Sequence, residues 1–265
     1  DQTRAATVIR AVHSKRQVFE VLVDFWHNHF NVYPHDHEEI FTTWPAYDTG
    51  VIRANALGNF RLMLEAVAKS TAMLYYLDNA TSQDTGPNEN FARELLELHT
   101  LGAENYLGTR SPQEVARAAG GVAIGYVDND VYEVARCFTG WTFDMNAEWW
   151  GMTNTGAFAY KKDWHDRFNK FVLGQFLPAD QLDMQDGRDV LDLLASHPGT
   201  ARHIAGKLCR RLIGDAPPRR IVAEAAAVFL AKRDAPDQIA QVVRAIVLSP
   251  EFAGTFGEKI KRPFE

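Results

Sequence analysis

Three groups of polar residues in this 265-residue chain have types and spacings that can do chemistry. The first is the row Asn90, Arg93, Glu94 and Glu97 within residues 87–102 (PNENFARELLELHTLG). At about 100° per residue these four share one helix face, while Phe91, Leu95 and Leu98 line another. Carboxylates beside an amide bind a cation or act as general acid and base once such a face is covered. The same pattern also describes a solvated face knitted by i,i+4 pairs such as Glu89–Arg93. A carboxylate-bridged di-iron centre is excluded. It needs Glu-x-x-His, whereas this helix offers Glu94-x-x-Glu97, with His99 on roughly the opposite side.

The second group is His165-Asp166, close to Lys170. A neighbouring carboxylate orients an imidazole, or the two supply metal ligands; Asp at this place is equally a turn residue. The third is His29, one turn from Phe25 and Trp26 and therefore on the packed side of its helix, with Asn28 beside it. A hydrogen-bonded core histidine has the same signature. Together His29, Asn90, Glu94, Glu97, His165 and Asp166 form the candidate catalytic set of a hydrolytic or metal-assisted site.

The aromatic residues suggest a different class of function. Trp149, Trp150 and Trp164 lie in an irregular stretch, and two adjacent tryptophans point to different sides. An exposed platform of this kind suits a carbohydrate or a protein partner in a non-catalytic binding or assembly protein. The other role for these rings is to staple the loop to the helices. His35 and His37 could share a side of an extended segment, as metal ligands or as an exposed loop. There is no GxSxG elbow, P-loop or Rossmann glycine fingerprint, and the sequence assigns no cofactor and no metal site.

The elements that must hold these residues are mainly helical. Apolar positions recur at three- and four-residue spacing over 5–30, with an interruption near Ser14, and again over 47–57 and 60–77. Residues 87–100 form the helix that carries the polar row, with Pro87 near its start and Gly102 as its cap. Two similar strings, QEVARAAGG at 113–121 and YEVARCFTG at 132–140, share a helix grammar or a local duplication. Strand-like pieces at 156–161 and 170–173 predict a small β-hairpin, and helices return from Asp186 onward. The expected fold is mainly α, an irregular multi-helix bundle in one domain over 1–265. A Trp-rich hairpin excursion at 141–174 lies within it.

Composition narrows the classes. Hydrophobic residues are 46% and charged residues 23%, enough for a sizeable core, and the net charge of −6 argues against nucleic acid as a partner. No apolar run reaches the ~18–20 residues of a membrane span. Cys137 and Cys209 sit in apolar helical patterns and read as packed thiols. Both ends of the chain read as an excerpt of a longer polypeptide.

Several blocks match a known family. They are residues 25–32 (FWHNHFNV), 73–79 (MLYYLDN), 87–102, and 133–143 (EVARCFTGWTF). His165-Asp166 with Lys170 and Leu173-Gly174, 197–201 (HPGTA) with Lys207-Leu208, 249–252 (SPEF) and 261–265 (KRPFE) complete the set. In this order, over nearly the whole chain, they resemble the bacterial family known as domain of unknown function 1800. The resemblance implies a larger, usually exported protein, periplasmic or secreted, of which this is the central and C-terminal part. It implies no assigned activity, cofactor or catalytic residue. Thr71 stands where the family usually has Pro, and 103–126 is longer than the usual link, which leaves the path before Glu133 open.

Overall fold

The computed structural model describes residues 2–36, 38–118, 120–144, 155–255 and 259. The helices are α1 (Gln2–His13), α2 (Gln17–His29), α3 (Glu38–Ala46), α4 (Phe60–Ala68), α5 (Thr71–Tyr76), α6 (Glu89–Glu94) and α7 (Asp128–Cys137). Four short strands come next: β1 (Trp141–Phe143), β2 (Phe158–Tyr160), β3 (Lys170–Val172) and β4 (Gln175–Leu177). The chain then continues through α8 (Gln185–Ala195), α9 (Pro198–Leu212), α10 (Arg219–Ala231), α11 (Gln238–Val247) and α12 (Pro250–Gly254). β1 pairs with β2 and β3 with β4, both antiparallel. The fold is mainly α with two small hairpin excursions. The second has its outer strand just beyond the stretch that the sequence marks.

The sequence predicts one domain; the contacts of the chain gather into two compact units. The first comprises Asp1–Asn31, Pro45–Met63 and Ala201–Glu265. Here α1 and α2 are separate helices, broken where the Ser14 hydroxyl accepts from the Arg16 amide at 3.1 Å. Trp26 is fully buried and donates its indole N–H to the Ala56 carbonyl at 2.9 Å. Residues Tyr47–Arg53, expected as α-helix, form a π-helical turn. In α10 and α11 the buried residues Ile221, Ala225 and Phe229 and then Ile239, Val242 and Ile246 recur at helical spacing, so each helix has one apolar stripe. Gln238 fills the polar gap in this core, donating to Phe229 O at 2.8 Å and accepting from Phe60 N at 3.0 Å. Ser249 caps α12 by accepting from the Phe252 amide at 3.2 Å, with Pro250 in the first turn.

The second unit comprises Val32–Trp44 and Leu64–Thr200. Asn88 caps α6 through the Asn90 amide at 2.9 Å. The helix is α only to Glu94; Leu95–Thr100 is π-helical. The Thr100 hydroxyl donates to Leu95 O at 2.6 Å and the Leu101 amide to Leu96 O at 2.9 Å, both spanning five residues. This wider turn breaks the 100° wheel. Leu96, His99 and Thr100 are buried, and Leu98, expected inside, is 47% exposed. The paired strings also diverge. Glu133–Arg136 is helical, but Glu114–Arg117 leaves a short 3-10 turn for a bridge between Arg117 and Ala123. The same four residues thus take two conformations, set by their different neighbours in the chain.

No helix among the described residues is long and apolar enough to cross a membrane. Cys137 and Cys209 are free and buried, as their apolar settings predict, and burial pushes the Cys209 thiol up to about 12.

Candidate functional site

The site grows from α7 and the hairpin that packs on it. Asp130, Glu133 and Arg136 fall three apart along α7 and so occupy one side. The β3–β4 loop has two residues, Leu173 (φ 50) and Gly174 (φ 76), both left-handed, which is the geometry of a tight hairpin turn. Alternation along β3 buries Lys170 and Val172 and leaves Phe171 outside. Phe171 faces Phe176 directly, and its N–H points away from β4. That N–H donates to Glu133 Oε2 at 2.9 Å, and the Leu173 N–H donates to Asp130 Oδ1 at 2.8 Å. Two carboxylates of a helix thus occupy the place of the next strand and close the edge of β3. Arg117 completes the corner, donating through Nη1 to Gly121 O at 2.8 Å and Gly174 O at 3.2 Å.

Behind the hairpin lies a buried charged cluster. The Lys170 side chain is fully buried, and its three N–H donors are used. They reach Asp166 O at 2.6 Å, Phe168 O at 2.9 Å and Asp186 Oδ2 at 2.5 Å. Arg136 clamps Asp166 with two bonds of 2.7 and 3.0 Å and holds Glu133 through Nη1 at 2.9 Å. His165 places Nδ1 3.0 Å from Thr139 O and Nε2 3.3 Å from Asp186 Oδ2. Gly140 makes this convergence possible. Its φ is +78°, and a Cβ there would collide with Lys161 O, so only glycine lets segment 161–165 approach the end of α7. Burial alone would raise the carboxyls of Asp166 and Asp186, but the Arg136 bond to Asp166, and the His165 and Lys170 bonds to Asp186, hold both below the usual range. Both His165 nitrogens, both Asp166 carboxylate oxygens and Asp186 Oδ2 are engaged, so the cluster fixes the hairpin.

On the solvent side of α7 the same residues border an open groove of about 600 Å³. Its walls include Gln113, Arg117, Asn129, Glu133, Arg136, Asn169 and Phe171. The amides of Asn129 and Asn169 are exposed and make no side-chain hydrogen bond with a described residue. Gln113 accepts from the Ser111 hydroxyl and keeps its NH₂ free among the described residues, and Arg117 keeps Nε and Nη2. The charged walls balance, Arg117 and Arg136 against Asp130 and Glu133. The groove therefore presents amide heads, one guanidinium edge and one aromatic ring.

A family model described as a protein of unknown function (DUF1800) matches residues 1–265. The chain belongs to that family. Comparison with curated proteins and with solved structures gives no match.

The geometry gives the blocks of this DUF1800 chain concrete work. Glu133, Arg136, Thr139, Gly140, His165, Asp166, Lys170 and Gly174, scattered over more than 40 positions of sequence, meet in one clip that holds the β3–β4 hairpin on α7. The helix of 87–102 is held at the other end of α7. Arg93 lies 3.4 Å from Asp128 and 3.2 Å from Glu89, Tyr106 donates to Asp128 at 2.6 Å, and Asn90 donates to Asp78 at 3.2 Å. Asp128 and Arg136 are about 12 Å apart along the helix axis, and no hydrogen bond or ion pair among the described residues joins Glu94 or Glu97 to His165 or Asp166. Glu94 is half-buried, and burial followed by the Glu97 charge pushes its carboxyl up.

His29 belongs to the first unit. It is buried, stacked on Phe25 at 6.0 Å and edge-on to Phe30 at 4.5 Å. Trp164 is half-buried with Lys161 4.2 Å over its ring. Trp149, Trp150 and His37 lie outside the described residues. No group of three or more His, Cys, Asp or Glu among the described residues is arranged to hold a metal ion. Sequence reasoning does not single out Arg136, Asp186 or the groove amides. The Glu-x-x-Arg spacing at 133–136 is a usable signal for the first, but isolated asparagines carry none.

Proposed function

We propose that this DUF1800 protein is a non-catalytic binding protein that holds a neutral, hydroxyl-rich ligand, a carbohydrate, in the groove beside α7. One contrast carries the reading. Beside a cluster in which His165, Asp166, Lys170 and Asp186 are all engaged, the groove keeps four polar heads (Gln113, Arg117, Asn129 and Asn169) with donors free of described partners. Amides and a guanidinium edge pair well with vicinal hydroxyls, and the exposed Phe171 ring offers an apolar face to the C–H side of a sugar. In this reading the protein works outside the bacterial cytoplasm, as its family resemblance implies. Calorimetric titration with soluble sugars tests it. Asn129→Ala with Asn169→Ala removes about two hydrogen bonds and should weaken binding by roughly tenfold or more. Titrations that saturate identically in wild type and double variant, or never saturate, would sink the proposal.

A hydrolytic reading survives in narrower form at Glu94 and Glu97. A carboxyl pushed up by burial beside a second carboxylate is how acid and base roles are divided. That reading now stands without His29, His165 or Asp166. Turnover of a glycoside or ester panel that disappears in Glu94→Gln would favour it over binding alone.

A further inference from the structure

We infer that the groove is the first of two adjoining subsites and that the ligand is an oligosaccharide whose next ring packs on Phe176. The inference rests on the carbohydrate reading above and extends it. Phe171 and Phe176 are directly opposed on the outer face of the hairpin, 52% and 56% exposed, with ring centroids 5.1 Å apart. They form the non-hydrogen-bonded pair of the β3–β4 ladder, in which side chains stand closest. Phe171 lines the groove and Phe176 does not, so the aromatic surface runs from the polar wall out onto the hairpin. Their spacing is comparable to the step from one pyranose ring to the next. Two large apolar side chains left side by side in water on so short a hairpin mark a contact surface rather than core.

The chemistry of the surroundings chooses the occupant. An extended peptide would add to a free strand edge; the β3 edge is closed, its outward N–H groups at Phe171 and Leu173 bonded to Glu133 and Asp130, so only the β4 edge is open to one. No net charge favours an ionic ligand, because the charged residues of the groove balance, Arg117 and Arg136 against Asp130 and Glu133. Remaining are the amides of Asn129 and Asn169 and the free edge of Arg117. These read hydroxyls at the groove end while the two rings read successive sugar faces.

A chain-length series on the intact protein tests this. Glucose and N-acetylglucosamine, each as the monomer and as β-1,4-linked oligomers of two to four rings, would be titrated against wild type and Phe176→Ala. Affinity should rise roughly threefold to tenfold from one ring to two, the scale of one aromatic stacking contact. Phe176→Ala should abolish that rise and leave monosaccharide binding unchanged, and Phe176→Tyr should restore it. Equal affinity for one and two rings, or a rise that survives Phe176→Ala, overturns the second subsite while the carbohydrate reading stands. Absence of binding to every sugar overturns both. Competition by an unstructured peptide that is lost in Phe176→Ala assigns the surface to a protein partner and likewise overturns the inference.

Discussion

The cluster behind the β3–β4 hairpin and the groove in front of it draw on the same kinds of side chain to opposite ends. Behind, an imidazole, two aspartates and a lysine are buried and bonded to one another at 2.5–3.6 Å. In front, amides and a guanidinium edge remain open to water. Buried, mutually bonded charge is turned inward, and open hydrogen-bonding capacity is kept outward. A titratable pair in the sequence is therefore a poor guide to which polar groups stay open to solvent. His165-Asp166 has the strongest chemical signature beside Lys170, and burial turns it into a brace.

The largest test of this contrast is Lys170→Met. It removes the cation from a site where Asp186 is only 3% exposed, leaving that carboxylate with His165 alone. Removal of one partner from a buried pair costs about 3–5 kcal/mol, and the remaining imidazole puts this case toward the lower end. Urea unfolding would show it as a drop in midpoint at constant slope. Adding Asp186→Leu should recover much of the loss, because two apolar residues leave no orphaned charge. A cost below about 1 kcal/mol would mean that the cluster does not hold the hairpin.

Acid should reach the same cluster by another route. Asp166 and Asp186 have folded pKa values below the ordinary carboxylate value of about 3.9. A lowered carboxyl stabilises the fold fully above that value, and the contribution fades as pH falls through the lower folded one. Unfolding midpoints should thus show no loss from these two groups between about pH 7 and 5 and should decline below about pH 4. Asp130, pushed up by burial, has the opposite sign: its contribution is present below the ordinary value and is lost as pH rises through the raised one. In Lys170→Met with Asp186→Leu the acid decline should be shallower. An equal decline in that variant would place the acid-sensitive groups elsewhere.

Much of the fold is legible in the sequence because it depends on local pattern. The break at Ser14, the helix start after Pro87 and the strands at 156–161 and 170–173 arise from periodicity and turn chemistry that a short window contains. The π-helical turn at Leu95–Thr100 does not, since nothing in LELHT distinguishes a five-residue bond from a four-residue one. Leu98 is misplaced on the helical wheel for that reason. Lys170 reads as an exposed residue by type, and only the strand's alternation, with Phe171 outside and Val172 inside, turns it inward. The groove is illegible for a different reason. Gln113, Arg117, Asn129, Asn169 and Phe171 are spread over nearly 60 positions, and each is ordinary until the turn at Leu173-Gly174 brings them to one face.

That turn gives the smallest and sharpest test, because it belongs to both regions. Gly174 has φ +76°, and a Cβ there would land on the Arg117 guanidinium. Gly174→Ala should cost about 1–2 kcal/mol from the left-handed backbone. Its second effect differs in kind: the flexible Arg117 side chain must give way, losing its 3.2 Å bond to Gly174 O at the mouth of the groove. The cluster behind, anchored through Lys170 and Arg136, is untouched by that displacement. The variant should therefore keep the wild-type acid decline in stability while sugar affinity falls by about tenfold, the loss of one or two hydrogen bonds from a charged donor. A loss of acid sensitivity together with binding would show that brace and groove are one cooperative element, and that their division into inward charge and outward hydrogen bonding does not hold.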